Sequence, residues 1–195
     1  MDTDVEFLSL KFGGDTTAAN NYIAELFAGI NAIYSTDLGV TLMVGDVFLR
    51  TGSDPYDSTS ADSTVLQLNE FGEHWRLTHP TVPRAFAAQL SGKSGHPNSA
   101  SGIAWQLSND EDYCASTGTT SGDQTFGHFS ITRVFRFSTD AVYDVSIVGH
   151  EIGHNFGAAH THCTDADPGL AGTQHVDQCY IGEFDAVHRP TCYNG

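Results

Sequence analysis

Residues 148–160 read Val148-Gly149-His150-Glu151-Ile152-Gly153-His154-Asn155-Phe156-Gly157-Ala158-Ala159-His160, and the spacing inside this stretch governs the reading of the rest. His150 and His154 are four residues apart, one turn along the same helix face, about 6 Å from each other. Two imidazoles so placed can converge on one Zn²⁺ through bonds of about 2.0–2.1 Å. Glu151 flanks them by about a third of a turn, near enough to reach a water at the metal without ligating the metal itself. Ala141, Val145, Val148, Ile152 and Phe156 recur on roughly the opposite face, which predicts one side packed on a sheet and the other open to a cleft.

His160 cannot join the other two if the helix continues, because ten residues carry it about 15 Å along the axis and about 80° around it. The chain must turn back, and Gly157 can take the left-handed conformation that ends helices. The prediction is therefore a helix, a glycine turn and a returning third ligand. Three histidines leave the fourth tetrahedral position for water, which separates a catalytic zinc site from a structural one. Upstream, Ser138 or Thr139 can cap the helix, with Asp140 and Asp144 near its positive end.

Outward from this segment, strands and helices alternate. Residues 5–12 alternate in polarity and read as a strand closed by Gly13-Gly14. Asp15 or Thr16 caps a helix to about Tyr34, with Tyr22, Ile23, Leu26, Phe27, Ile30 and Ile33 at helical spacing. Residues 40–49 are rich in β-branched side chains and read as a second strand. A second helix over 64–76 gathers Val65, Leu68, Phe71 and Trp75 on one face. Residues 84–90, 102–107 and 129–137 read as three more strands, with loops over 91–101 and 108–127. The expectation is an α/β fold with a twisted, mostly parallel five-stranded sheet and packed helices. Residues 1–160 form its main lobe. Residues 161–195, irregular and cysteine-bearing, form a small second lobe of the same single domain.

The chain has 195 residues, 39% of them hydrophobic and 11% aromatic, enough to bury the core of one domain. Twenty-four acidic residues against eight basic give a formal charge of −16. Such a field repels phosphate backbones and anionic lipid, so nucleic acid and membrane surfaces are excluded as partners. No run of 18 apolar residues occurs, so no segment reads as a membrane span. The opening Met1-Asp2-Thr3-Asp4 has neither a basic nor an apolar signal region. Either the protein stays in the cell, or it is exported and its signal and any pro-segment are missing from the chain. Cys114, Cys163, Cys179 and Cys192 favour export, as disulfides stapling the loop-rich end, with three pairings open to them. Asp165 and Asp167, followed by Gly169, could offer oxygen to Ca²⁺, though a solvated acidic loop is the simpler reading. His162 reads as a loop histidine rather than a fourth ligand. His74, His79, His96, His128, His175 and His188 lack ligand spacing, and Trp75 and Trp105 read as packing residues.

The pattern HExxHxxGxxH over 150–160 is the metzincin signature. With Asn155 after the second histidine, this segment most resembles the reprolysin (adamalysin-like) family. Gly102-Ile103-Ala104-Trp105 resembles that family's edge strand beside the active cleft. The resemblance implies a metzincin-like fold and a zinc-dependent endopeptidase. His150, His154 and His160 would hold the metal, and Glu151 would act as general base toward a metal-activated water. The substrate would be a protein or peptide in extended conformation, lying along the edge strand. Two features depart from the family: Thr161 stands where many reprolysins have Asp, and no methionine follows His160 to form a Met-turn. A chain that stops before that turn is the first explanation, and a complete chain with a substitute floor the second. A protease-fold binding or adhesion module without activity is the alternative function, and a zinc-stabilised structural domain a further one. The retained Glu151 argues against the former, the open fourth metal position against the latter. The oligomeric state is left open.

Overall fold

The structure is a computed structural model and describes residues 1–94, 101–105, 119–121, 124–134, 137–158 and 160. Its elements in chain order are β1 (Asp2–Thr3), α1 (Thr16–Asp37), α2 (Thr64–Thr78), β2 (Ala87–Ser91), β3 (Gly102–Ala104), β4 (Thr119–Ser121), β5 (Gln124–Phe126), β6 (Phe129–Arg133) and α3 (Val142–Asn155). A π-helical turn, Phe7–Lys11, lies between β1 and α1. The main sheet is mixed, in the order β1-β2-β6-β3. Two pairings are parallel, and β3 runs antiparallel to β6 with Gly102 opposite Thr132 and Ala104 opposite Ser130. β4 and β5 form a separate antiparallel pair.

Helices cover both faces of this sheet. β2 and β6 are buried along their whole length, as expected for strands packed on two sides. On one face, Tyr22, Leu26 and Ile30 of α1 and Val148 and Ile152 of α3 join Leu90 and Val134 in one cluster. On the other, Leu68, Phe71 and Trp75 of α2 pack with Ala87, Phe129 and Ile131. The alternation of side chains along a strand accounts for Leu90 and Ala87 facing opposite clusters. Asp15 caps α1 by accepting from the amides of Thr17 and Ala18 at 2.9 and 3.0 Å, as its sequence signal predicts. Ser63 caps α2 through the Leu66 amide. Among the described residues no helix is long and apolar enough to cross a membrane.

The structure departs from the sequence reading in four places. Residues 5–12 are not a strand. Phe7 and Phe12, five residues apart, lie on one side of the wide turn and meet Tyr22 edge-on, with ring centroids 5.2–5.9 Å apart, a pairing that i→i+5 geometry favours. Residues 40–49 find only one bridge, Phe48 to Asp2, because the neighbouring β1 is two residues long and Met43 points out at 87% exposure. The main sheet therefore has four strands among the described residues, not five. Third, the loop expected over 108–127 contains the β4–β5 pair. Fourth, neither Ser138 nor Thr139 caps α3; the cap position is Ala141 and makes no side-chain hydrogen bond, while Asp140 Oδ1 accepts from the Val142 amide at 3.0 Å. The expected lower lobe, 161–195, lies outside the described residues.

The start of α3 is fixed by a buried polar group. Asp144 is fully buried and accepts from the Tyr22 hydroxyl at 2.5 Å and from Lys11 Nζ at 3.2 Å; Lys11 Nζ also donates to the Ser138 carbonyl. Burial holds the Lys11 ammonium below its usual range, and Asp144 beside it acts in the opposite direction. Asp144→Ala leaves that ammonium buried without its counter-charge and is predicted to cost about 3–5 kcal/mol. Urea unfolding measures this, and adding Lys11→Met should recover most of the loss. A single-variant loss below about 1 kcal/mol would show that the pair does not anchor the helix.

Candidate metal centre

His150, His154 and Glu151 lie on the last two turns of α3, and a capping turn determines where the chain goes next. The Ala158 amide donates to the Gly153 carbonyl at 3.1 Å and the Gly157 amide to the His154 carbonyl at 2.8 Å. With Gly157 at φ 87°, this is the Schellman arrangement, 6→1 and 5→2 bonds closed by a left-handed residue. The turn reverses the chain and brings His160 back beside α3, as the spacing predicts.

The three Nε2 atoms form a nearly equilateral triangle. His150 to His154 is 3.0 Å, His154 to His160 is 3.1 Å and His150 to His160 is 3.2 Å. The corners of such a triangle are about 1.8 Å from its centre, so the three nitrogens would fit a single ion with bonds of about 2.0–2.1 Å. Such a set would supply three of the four ligands of a tetrahedral zinc. Among the described residues these histidines are the group able to hold a metal ion. The His154 Nδ1 lies 2.6 Å from the Ala158 carbonyl, so Nδ1–H donates there and Nε2 keeps its lone pair for a ligand. A carbonyl behind the imidazole is the outer partner that orients metal-binding histidines. The same turn that delivers His160 thus fixes the tautomer of His154.

Glu151 lies against β3 beside Gly102 and is 6% exposed. Burial pushes its carboxyl up to about 8. A dication at the three imidazoles would oppose that by favouring the charged form. Asn155, 1% exposed, donates both amide hydrogens to main chain, to the Trp105 carbonyl at 3.0 Å and the Phe129 carbonyl at 3.1 Å. It ties the end of α3 to the end of β3 and the start of β6. The Tyr34 hydroxyl donates to the Gly149 carbonyl at 2.6 Å and holds α3 from the α1 side.

Three contributors escaped sequence reasoning. Asn155 drew notice only through the family motif, Tyr34 only as the end of α1, and Gly102 only as part of a strand; each acts across a long sequence separation. The remaining described histidines stay apart from the site. His79 stacks on Trp75 with centroids 4.5 Å apart, His74 joins the same ring cluster, and His128 Nδ1 faces the Ala85 carbonyl at 2.7 Å. Trp75 and Trp105 are buried, in keeping with packing roles. His96, His162, His175, His188, all four cysteines and the suggested calcium loop at Asp165 and Asp167 lie outside the described residues, and calcium gains no support.

Gly157→Ala places a side chain at a left-handed φ, at a cost of about 1–2 kcal/mol, and loosens the return of His160. Zinc affinity, measured by competition with a chromogenic chelator, is predicted to fall about tenfold. Wild-type affinity in this variant would mean that the turn does not deliver the third ligand.

A reprolysin-type family model, described as Metallo-peptidase family M12, matches residues 1–193. No curated protein matches the chain. The match spans nearly the whole sequence and includes the histidine triangle and its turn: the chain belongs to metallopeptidase family M12, zinc-dependent peptidases, as a reprolysin-like metzincin.

Proposed function

We propose that the chain is a zinc-dependent endopeptidase in which His150, His154 and His160 hold the metal and Glu151 is the general base. The triangle of Nε2 atoms at 3.0–3.2 Å carries this reading. Three lone pairs directed at one point repel each other; protons can relieve them only pair by pair, whereas a single cation satisfies all three. Zinc, when bound, supplies Lewis acidity and makes water nucleophilic near neutral pH.

The chain's own groups supply the remainder. Glu151 is shielded from bulk water and adjoins β3, so a proton taken by its Oε from the attacking water stays local until it passes to the leaving amine nitrogen. Among the described residues β3 is the last strand in the sheet order, with β6 on one side only. Its other edge offers main-chain donors and acceptors to an extended substrate as an added strand would. Recognition through backbone suits cleavage within a polypeptide. The whole of 1–195 serves as one catalytic domain, with the cysteines and the acidic surface suiting an exported setting.

Glu151→Ala is predicted to lower casein cleavage by at least about 10²-fold while zinc stoichiometry, read by atomic emission, stays at the wild-type value. A chelator should abolish wild-type cleavage, and added zinc should restore it. Undiminished turnover in Glu151→Ala would move the base to another residue; turnover indifferent to chelator would remove the metal from the reaction.

A further inference from the structure

We propose that Gly102 is a positioning residue for Glu151: the side chain missing from edge strand β3 is the space that the carboxylate occupies. A Cβ built on Gly102 would lie 2.5 Å from Glu151 Oε1, 2.6 Å from its Cγ and 2.8 Å from its Cδ. Backbone conformation does not demand glycine here. Gly102 is not among the residues with positive φ and lies in a regular antiparallel ladder, where alanine fits. The requirement is for space alone, the close approach that a glycine inside a strand can mark.

Neither element is free to retreat. The Arg133 amide donates to the Ser101 carbonyl at 2.7 Å and the Trp105 amide to the Phe129 carbonyl at 3.1 Å, so β3 is pinned to β6 at both ends. Asn155 holds α3 to the same Trp105 and Phe129 carbonyls. The strand–helix spacing is thereby set from outside the contact, and a methyl at position 102 has only the Glu151 side chain to displace. Alternation along β3 agrees: Gly102 and Ala104, both small, share the face toward α3, whereas Ile103 packs into the α2 cluster. The catalytic consequence rests on the role proposed above for Glu151; the steric coupling does not.

A double-variant cycle of Gly102→Ala and Glu151→Ala tests both parts. Melting of the metal-free proteins reads the coupling: Gly102→Ala should lower Tm when Glu151 is present and leave it unchanged in the Glu151→Ala background. If Gly102→Ala alone does not fold, the double variant should, which is the same result in stronger form. Activity reads the consequence. Gly102→Ala should lower kcat by roughly 10²-fold, the scale of a group misplaced by about 1 Å, with KM within twofold and zinc stoichiometry unchanged. An equal Tm loss in both backgrounds, or a wild-type kcat in Gly102→Ala, overturns the proposal. A wild-type protein without cleavage activity would instead defeat the peptidase reading, and the melting cycle would still decide the coupling.

Discussion

The seating of α3 is the constraint on which the rest depends. The helix is held at three heights by polar contacts outside the histidine triangle: Asp144 to Tyr22 and Lys11 near its start, the Gly149 carbonyl to Tyr34, and Asn155 to the Trp105 and Phe129 carbonyls at its end. Burying an ion pair such as Lys11–Asp144 yields little net stability, because desolvation offsets most of the attraction. What it does provide is a fixed rotation and height for the helix. A hydrophobic face alone, with Val148 and Ile152 against α1 and the sheet, tolerates small slides that directional bonds do not. Three imidazoles can meet one ion only if their helix is fixed to within a fraction of an ångström.

The same seating creates an electrostatic tension. Glu151 is buried by the approach of α3 to β3, and burial favours its protonated form. The general-base role proposed for it requires it to accept a proton. A dication held at the histidine triangle would oppose the effect of burial on the carboxyl. On that proposal, metal affinity and the protonation of Glu151 would be coupled through the placement of one helix.

What the sequence could convey follows from range. The histidine spacing, the Gly157 reversal and the Asp15 cap are local patterns found in the structure, as are the apolar faces of α1 and α2 apart from Ile33 and Val65, which are exposed. β1 was misplaced because two residues, Asp2 and Thr3, are too few to show a period; their pairing with β2 is decided by a segment nearly ninety residues away. The turn at Phe7–Lys11 was read as a strand because its alternation in polarity matched one. Its burial follows instead the meeting of Phe7, Phe12 and Tyr22. Residues 40–49 have strand propensity but no strand of sufficient length to pair with, and propensity without a partner does not make a sheet.

Two glycines show the limit of such reading most clearly. Gly157 is needed for its dihedral angle, a property of the chain at that point, and a helix end between two ligands is enough to find it. Gly102 stands in a strand with a conformation open to any residue, so local sequence gives no reason for it. The reason lies on another element, where Glu151 fills the volume a methyl would take. Removing the Glu151 side chain leaves room for that methyl, whereas a methyl added while it stays must displace it. A carboxylate held in a slot of this kind is positioned by absence, and absence has no sequence pattern of its own; only the packing of the helix that enters the slot reveals it.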